Sequence, residues 1–321
     1  MKIKKPVKNS VAYFLTKGFF IFLLFGLMSP LDAEASEGAD SSYFPGAYGD
    51  FAVAIAPEPG FTLVNYTLFY DGQVNQAILQ GQVNLNLDTF AVIDMVGSLY
   101  TFKKPVLGAR FAMGAFVPFG YAHLKTTIAT QMGNFFAKDT SFNIGDTILI
   151  PASFYWHQGK VHIKFYEMIF APTGKYDVND VVNIGRNYWS FDTVLAITWM
   201  DPAKGLEISV VTGVMANAQN KSTKYKTGTE LHIDFMVNRF LSATFAIGLK
   251  GYYYTQISGD SGTGAILGSF KGSSVGIGPS LMWVPKFGKG KLTVMASWIH
   301  DLSATRRFKS DYAIINIVRP F

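Results

Sequence analysis

The sequence predicts an all-β fold, a transmembrane antiparallel β-barrel of about twelve strands. Three observations lead there. Apolar and polar residues alternate over long runs, as in "GQVNLNLD" and "ELHIDFMVN". Hydrophobic residues make up 49% of the 321 positions and charged residues 16%, against roughly a quarter charged in a soluble domain. The final run, "SDYAIINIVRPF", ends on an aromatic residue, where soluble chains usually end polar and frayed.

The chain opens on an export signal. Lys2, Lys4, Lys5 and Lys8 precede the apolar "GFFIFLLFGLM", and Ala33 and Ala35 give the small-x-small pattern of a cleavage site. The expected organisation is a signal peptide at 1–35, cut after Ala35, an N-terminal segment at 36–60 and the barrel at 61–321. An uncleaved anchor is the other reading of the first segment. Without residues 1–35 the chain carries 23 basic and 20 acidic groups, too even a balance for a nucleic-acid partner. The absence of cysteine excludes disulfides, thiolate metal sites and cysteine nucleophiles, and fits a bacterial envelope.

The strands follow in order. In the first, 61–71, Val64, Tyr66, Leu68 and Tyr70 alternate with Asn65 and Thr67. The second, 80–100, sets Val83, Leu85 and Leu87 against Gln82, Asn84, Asn86 and Asp88. A third spans 106–128; the fourth and fifth, 144–157 and 160–171, meet at the tight "HQGK". The sixth, 189–200, begins at Tyr188 and Trp189 and closes near Trp199, and "DPAKG" leads into the seventh, 205–217. In the eighth, 228–239, Leu231, Ile233, Phe235 and Val237 alternate with Glu230, His232, Asp234 and Asn238. The ninth is 241–255; the tenth, 271–284, and eleventh, 289–302, carry Trp283 and Trp298 and join through "FGKGK". The twelfth is 311–321.

Several of these runs reach about ten residues, the length a tilted membrane strand needs, and Tyr and Trp lie near strand ends as in an interfacial girdle. "QMGNFFAKDTSFNIGD", "TGKYDVNDVVNIGRN", "AQNKSTKYKTGT" and "QISGDSGTGAILGSF" read as long loops at the rim opposite the tight turns. A sheet in lipid must close on itself, so the last strand is expected to pair with the first. The terminal Phe321 resembles the C-terminal signal by which outer-membrane barrels engage the barrel-assembly machinery. A soluble β-sandwich with its Phe-rich faces turned inward is the competing fold.

If apolar rows face lipid, the polar rows line the lumen, which gives Asn65, Thr67, Gln82, Asn84, Asn86, Asp88, Glu230, His232 and Asp234 as lumen candidates. The segment 36–60 is either a plug, with Phe44, Tyr48 and Phe51 forming an apolar binding spot, or a tail. In "NIGRNYW", Arg186 beside Tyr188 and Trp189 could hold an anionic aromatic ligand or make a rim contact. Catalysis finds little support. No histidine has a serine two residues on, the spacing that would put both on one strand face, and Glu230, His232 and Asp234 lie about 7 Å apart along their strand, too far to share a metal ion. No catalytic residue, metal or cofactor is expected.

Four motifs in order, "YFPGAYGDFAVAIAPEPGF", "FAPTGKYD", "NIGRNYWSFD" and "GYYYTQISGDSGTGAILGSFKGSSVGIGP", resemble a transporter-like family of phenol meta-pathway degradation proteins, also called the SphA family. The resemblance runs from about Tyr43 to Phe321. It implies an outer-membrane barrel, encoded beside genes for catabolism of aromatic or hydrophobic compounds and without a settled enzymatic activity. The expected partners are then outer-membrane lipid and a small hydrophobic or aromatic solute. The alternatives are a structural barrel and a cryptic lipid-modifying enzyme.

Overall fold

The structure is a computed structural model and describes residues 37–321 apart from 80, 81, 131, 288 and 289. The expected signal peptide and its cut after Ala35 fall outside these residues. The strands are β1 (Gly60–Leu79), β2 (Gln82–Thr101), β3 (Arg110–Thr130), β4 (Gly133–Ile144), β5 (Thr147–Gln158), β6 (Val161–Ala171), β7 (Ser190–Asp201), β8 (Leu206–Asn217), β9 (Glu230–Phe240), β10 (Phe245–Gln256), β11 (Ser273–Trp283), β12 (Lys286–Phe287), β13 (Gly290–Lys291), β14 (Thr293–Thr305) and β15 (Lys309–Pro320). Every pairing between them is antiparallel.

The sheet closes into a barrel of 12 strands. Closure runs through β1, which pairs with β2 on one side and with β15 on the other, Thr62 opposite Pro320 and Gln73 opposite Lys309. β12 and β13 form only a small hairpin in the β11–β14 turn. β4 and β5 together make one stave: β3 pairs with β4 along its upper half and with β5 along its lower half, across a break at Gly145 and Asp146. The stretch read as a loop, "QMGNFFAKDTSFNIGD", is therefore mostly strand. Its alternation of Phe with polar residues is real, but β4 rises beyond the end of β6, so both its faces are largely exposed. Turns at 159–160, 202–205 and 241–244 lie at one rim with the start of β1, and loops 172–189, 218–229 and 257–272 at the other.

Alternating burial fixes which face is which. Leu63, Phe69, Phe90, Val96, Phe165, Leu195, Val210, Val237, Leu249, Leu281 and Ile317 are exposed on the outside. This continuous apolar belt is far larger than a soluble surface carries and excludes the sandwich. Trp189 and Trp283 are exposed at strand ends, as a girdle requires, whereas Trp298 is exposed in the middle of β14. Tyr188 does not join them, being buried inside.

The inner face has two unlike halves. On β7–β10 it carries Asp192, Thr198, Glu207, Ser209, Glu230, His232, Asp234, Asn238 and Lys250, all buried. On β1–β6 it carries Val64, Leu68, Met95, Phe116, Ile148, Ile150, Tyr166 and Phe170, also buried. This second half corrects the expected lumen row. Along the middle of β1 both faces are largely apolar, and the inner one is Val64, Tyr66, Leu68 and Tyr70, so Asn65 and Thr67 point outward. In β2 a bulge between Leu85 and Asp88, with Asn86 at φ 52°, exchanges the faces. Asn84 stays buried while Asn86 and Asp88 turn out to solvent beside Gln73, and Gln82 is exposed at the hairpin tip.

Asn65 and Thr67 find their partner on the lipid side. Asn65 Nδ2 and Thr67 Oγ1 both donate to Asp94 Oδ1, at 2.7 and 2.8 Å. The trio lies between Phe61 and Leu63 toward one rim and Phe69 and Phe90 toward the other, so it sits within the belt, where a carboxylate is costly. Replacing all three together (Asn65→Leu, Thr67→Val, Asp94→Leu) is expected to stabilise the barrel by about 1–3 kcal/mol, as apolar replacement of a buried polar cluster often does. Urea unfolding in lipid vesicles measures this; a loss of stability would mean that the cluster holds the barrel wall together.

Candidate functional site

Residues 37–59 run inside the barrel, beginning with a 3-10 turn at Glu37–Ala39. Small residues allow the close fit. A Cβ at Gly46 would lie 2.1 Å from Ile299 Cδ1, and one at Gly49 2.2 Å from Met236 Sδ. Gly46 also has φ 73°, a left-handed conformation that glycine adopts without steric cost.

The polar contacts of this segment are directed to one side. Ser42 Oγ meets Ser190 Oγ on β7 at 3.3 Å, and the Ala54 amide donates to Thr198 Oγ1 at 3.2 Å. The Ala52 amide donates to Glu207 Oε1 on β8 at 2.9 Å. Asp50 accepts from Asn316 Nδ2 on β15 at 2.7 Å and faces Lys250 Nζ on β10 at 3.8 Å. Asp40 pairs with Arg186 at 2.7 Å and with Arg307 at 3.8 Å. Toward β1–β6, Arg110 at the rim meets the Pro57 carbonyl and Glu58.

At the centre of the polar side lies His232. Its Nε2 is 3.1 Å from Asp192 Oδ2, and its Nδ1 is 3.4 Å from Asp234 Oδ2. Tyr43 Oη donates to the same Asp234 oxygen at 3.0 Å, and its ring stacks on the imidazole with centroids 4.3 Å apart. Tyr48 packs against the imidazole from the segment as well, at 4.4 Å. Both ring nitrogens face carboxylates, so the doubly protonated ring would satisfy the pair with two N–H donors. No hydroxyl is thereby coupled to a free base, and a nucleophile-base pair of the kind hydrolysis needs is not assembled here. Among the described residues no group of His, Asp and Glu has the arrangement of a metal site.

On the apolar side two cavities remain between the segment and the wall. The outer one, about 200 Å³, lies toward the long-loop rim and is lined by Leu68, Ile93, Leu124, Val182 and Phe308, with Glu37, Arg186 and Asn220 at its polar end. The inner one, about 400 Å³, lies toward the short-turn rim and is lined by Tyr66, Met95, Phe116, Ile150 and Phe170. Leu68 and Tyr66 are successive inward residues of β1, as are Ile93 and Met95 of β2, so the cavities are stacked end to end, their nearest lining residues one same-face step, roughly 7 Å, apart. Phe44 lines both and separates them. In the outer cavity burial pushes the Glu37 carboxyl up to about 7, against the lowering effect of hydrogen bonds from Thr223 and Asn220 and of the Arg186 charge.

The structure thus brings Glu230, His232 and Asp234 together with Tyr48, all buried, and places Phe44 between the cavities. Phe51 lies lower, edge-on to Phe240 at 6.1 Å between centroids, and it lines the inner cavity together with Phe44 and Tyr48. Arg186 turns inward, but its guanidinium is taken by Asp40, and Trp189 stacks with Phe191 at 6.3 Å on the outer surface. The three residues of "NIGRNYW" therefore do not converge on one ligand. Asp192, Lys164 and the apolar wall were missed by the sequence reading. "VHIKFYEM" holds a signal for one of them, a lysine in the middle of an apolar strand with Tyr166 on its face.

A family profile described as "Putative MetA-pathway of phenol degradation" matches residues 68–317. The chain belongs to this family. Among solved structures, the COG4313 outer membrane channel from Pseudomonas putida F1 aligns with a TM-score of 0.66 at 14% identity, over 85% of this chain and 100% of that one. The β domain of the Bordetella autotransporter BrkA aligns with a TM-score of 0.48 at 12% identity, over 82% of this chain and 100% of that one. No curated protein matches the sequence. The family match begins at Leu68, inside β1, so it covers both walls of the lumen but not the segment that fills it. For this member of the phenol-degradation family, the fold is that of an outer-membrane barrel.

Proposed function

We propose that the protein is an outer-membrane channel that takes up small hydrophobic or aromatic compounds along the apolar half of its lumen. The observation that carries this reading is the pair of stacked apolar cavities, one toward each rim, divided by Phe44. A solute of this kind moves from one to the other when the Phe44 ring turns aside, while the polar contacts on the β7–β10 side stay made. No large displacement of the segment is required. The reading places the protein in the outer membrane, with lipid around the belt and Phe321 at the end engaged by the assembly machinery. It assigns no catalysis and no cofactor. The P. putida protein of like fold is itself described as an outer membrane channel, which agrees.

Uptake of a labelled monocyclic aromatic by cells with intact outer membranes tests the reading. Phe44→Ala is expected to speed uptake about tenfold, the change that 1.4 kcal/mol of barrier produces, and Phe44→Trp to slow it. Uptake no faster than in cells lacking the protein, for all three forms, would leave a structural barrel as the better account.

A further inference from the structure

Among the described residues two lysines line the inner cavity without an acidic partner within ion-pair distance, Lys291, which is exposed, and Lys164 on the apolar wall. Lys164 reaches into the cavity from β6, with its ammonium 3.9 Å from the centre of the Tyr166 ring and 5.5 Å from that of Tyr155. The lysines and arginines buried elsewhere in the lumen have acidic partners: Lys250 has Asp50, while Arg186 and Arg307 share Asp40. Among the described residues Lys164 has none within ion-pair distance. The two carboxylates that line the same cavity are engaged, Asp50 with Asn316 and Lys250, Glu58 with Arg110.

A cation held in an apolar chamber is costly unless it is paired. Two tyrosine faces attract it through their ring electrons but cannot neutralise it. The remaining wall, with Val64, Met95, Phe116, Ile150 and Phe170, offers surface to an apolar body and little to a polar one. The volume, about 400 Å³, falls in the range of small-molecule sites.

We propose that the inner cavity is a binding site for a small amphiphilic carboxylate, its acid group on Lys164 and its apolar body along the β1–β6 wall. This rests on the channel reading above and narrows its solute to an organic acid. Among the described residues the one Lys or Arg lining the outer cavity is Arg186, which Asp40 holds, so selection for the acid happens at the second chamber, past Phe44. An aromatic acid and a short fatty acid share this chemistry.

The test is calorimetric titration of the detergent-solubilised full barrel with two matched pairs, benzoate against benzamide and octanoate against octanol. Within a pair the shapes are similar and the charge differs. The native protein is expected to bind the acid of at least one pair about tenfold more tightly than its neutral partner; which pair shows this tells an aromatic body from an aliphatic one. Lys164→Gln should bring the acid down to the level of the neutral compound without changing the affinity for the latter, and Lys164→Arg should keep the preference. Unchanged binding of the neutral compound also shows that the Gln variant has kept its fold. Equal affinity for acid and neutral compound in the native protein, or a preference that survives Lys164→Gln, overturns the acid assignment and leaves the apolar channel standing. Binding of neither compound overturns both.

Discussion

Deleting residues 37–59 is expected to turn a barrel with little or no current in planar bilayers into one with discrete, stable steps, larger by at least about tenfold. The segment fills the lumen, but it is not part of the closed ladder: β1 begins at Gly60 and pairs on both sides without it. The wall therefore keeps its backbone bonds when the segment is gone. What it loses is cover over the polar half, where Asp192, Glu207, Glu230 and Asp234 are buried together with the single lysine Lys250. Water can solvate those groups once it enters, and loss of Asp40 and Asp50 with the segment takes away the acidic partners of Arg186, Arg307 and Lys250. Heat-modifiable migration in detergent gels checks that the shortened protein is folded. A folded deletion variant with no current would show that something other than the segment closes the lumen, and would remove the reason for placing the solute path beside it.

The barrel was legible because strand pairing leaves a period in the sequence, and long staves such as 206–217, 230–240 and 245–256 carry it clearly. A period has no sign. In β7–β10 the outer face is apolar and the inner face polar, so alternation points the right way for Glu230, His232 and Asp234. Along the middle of β1 and β2 both faces are largely apolar, and the polar trio Asn65, Thr67 and Asp94 gathers outside. Reading polar as inward then inverts the strand, and a shift of one residue sends every side chain to the opposite face. The bulge at Asn86 hides the second inversion, because nothing local marks where an extra residue enters the ladder.

The site was legible in parts and not in its pairings. The row on β9 is conspicuous as Glu-x-His-x-Asp, and the aromatic segment "YFPGAYGDF" as a run that fits no strand. That Tyr43 meets Asp234, or that Asp40 takes Arg186, joins residues 191 and 146 positions apart. Such contacts follow only from closing the barrel around the segment. Lys164 shows the reverse case: the residue stands out in its strand, yet the absence of an acid near it is a property of the whole lumen.

His232→Leu is expected to cost about 3–5 kcal/mol of stability, the usual loss when one partner of a buried ionic group is removed. The substitution keeps the volume roughly filled, so cavity formation contributes little. It leaves Asp192 and Asp234, both fully buried, without the ring whose two nitrogens face them, and each must then stay charged without a partner or take up a proton. Tyr43 still donates to Asp234, and Tyr43→Phe by itself should cost the smaller 1–3 kcal/mol, approximately, of an unsatisfied buried acceptor. The two effects should not add, because both substitutions act on Asp234. A double-mutant cycle by urea unfolding in vesicles measures the coupling. Asn at both 192 and 234 in the His232→Leu background should recover part of the loss, since a neutral amide has no charge to strand. A His232→Leu barrel as stable as the native one would mean that the two carboxylates do not need the imidazole, and the segment would then be held by its smaller contacts at Ser190, Thr198 and Glu207 rather than by this centre.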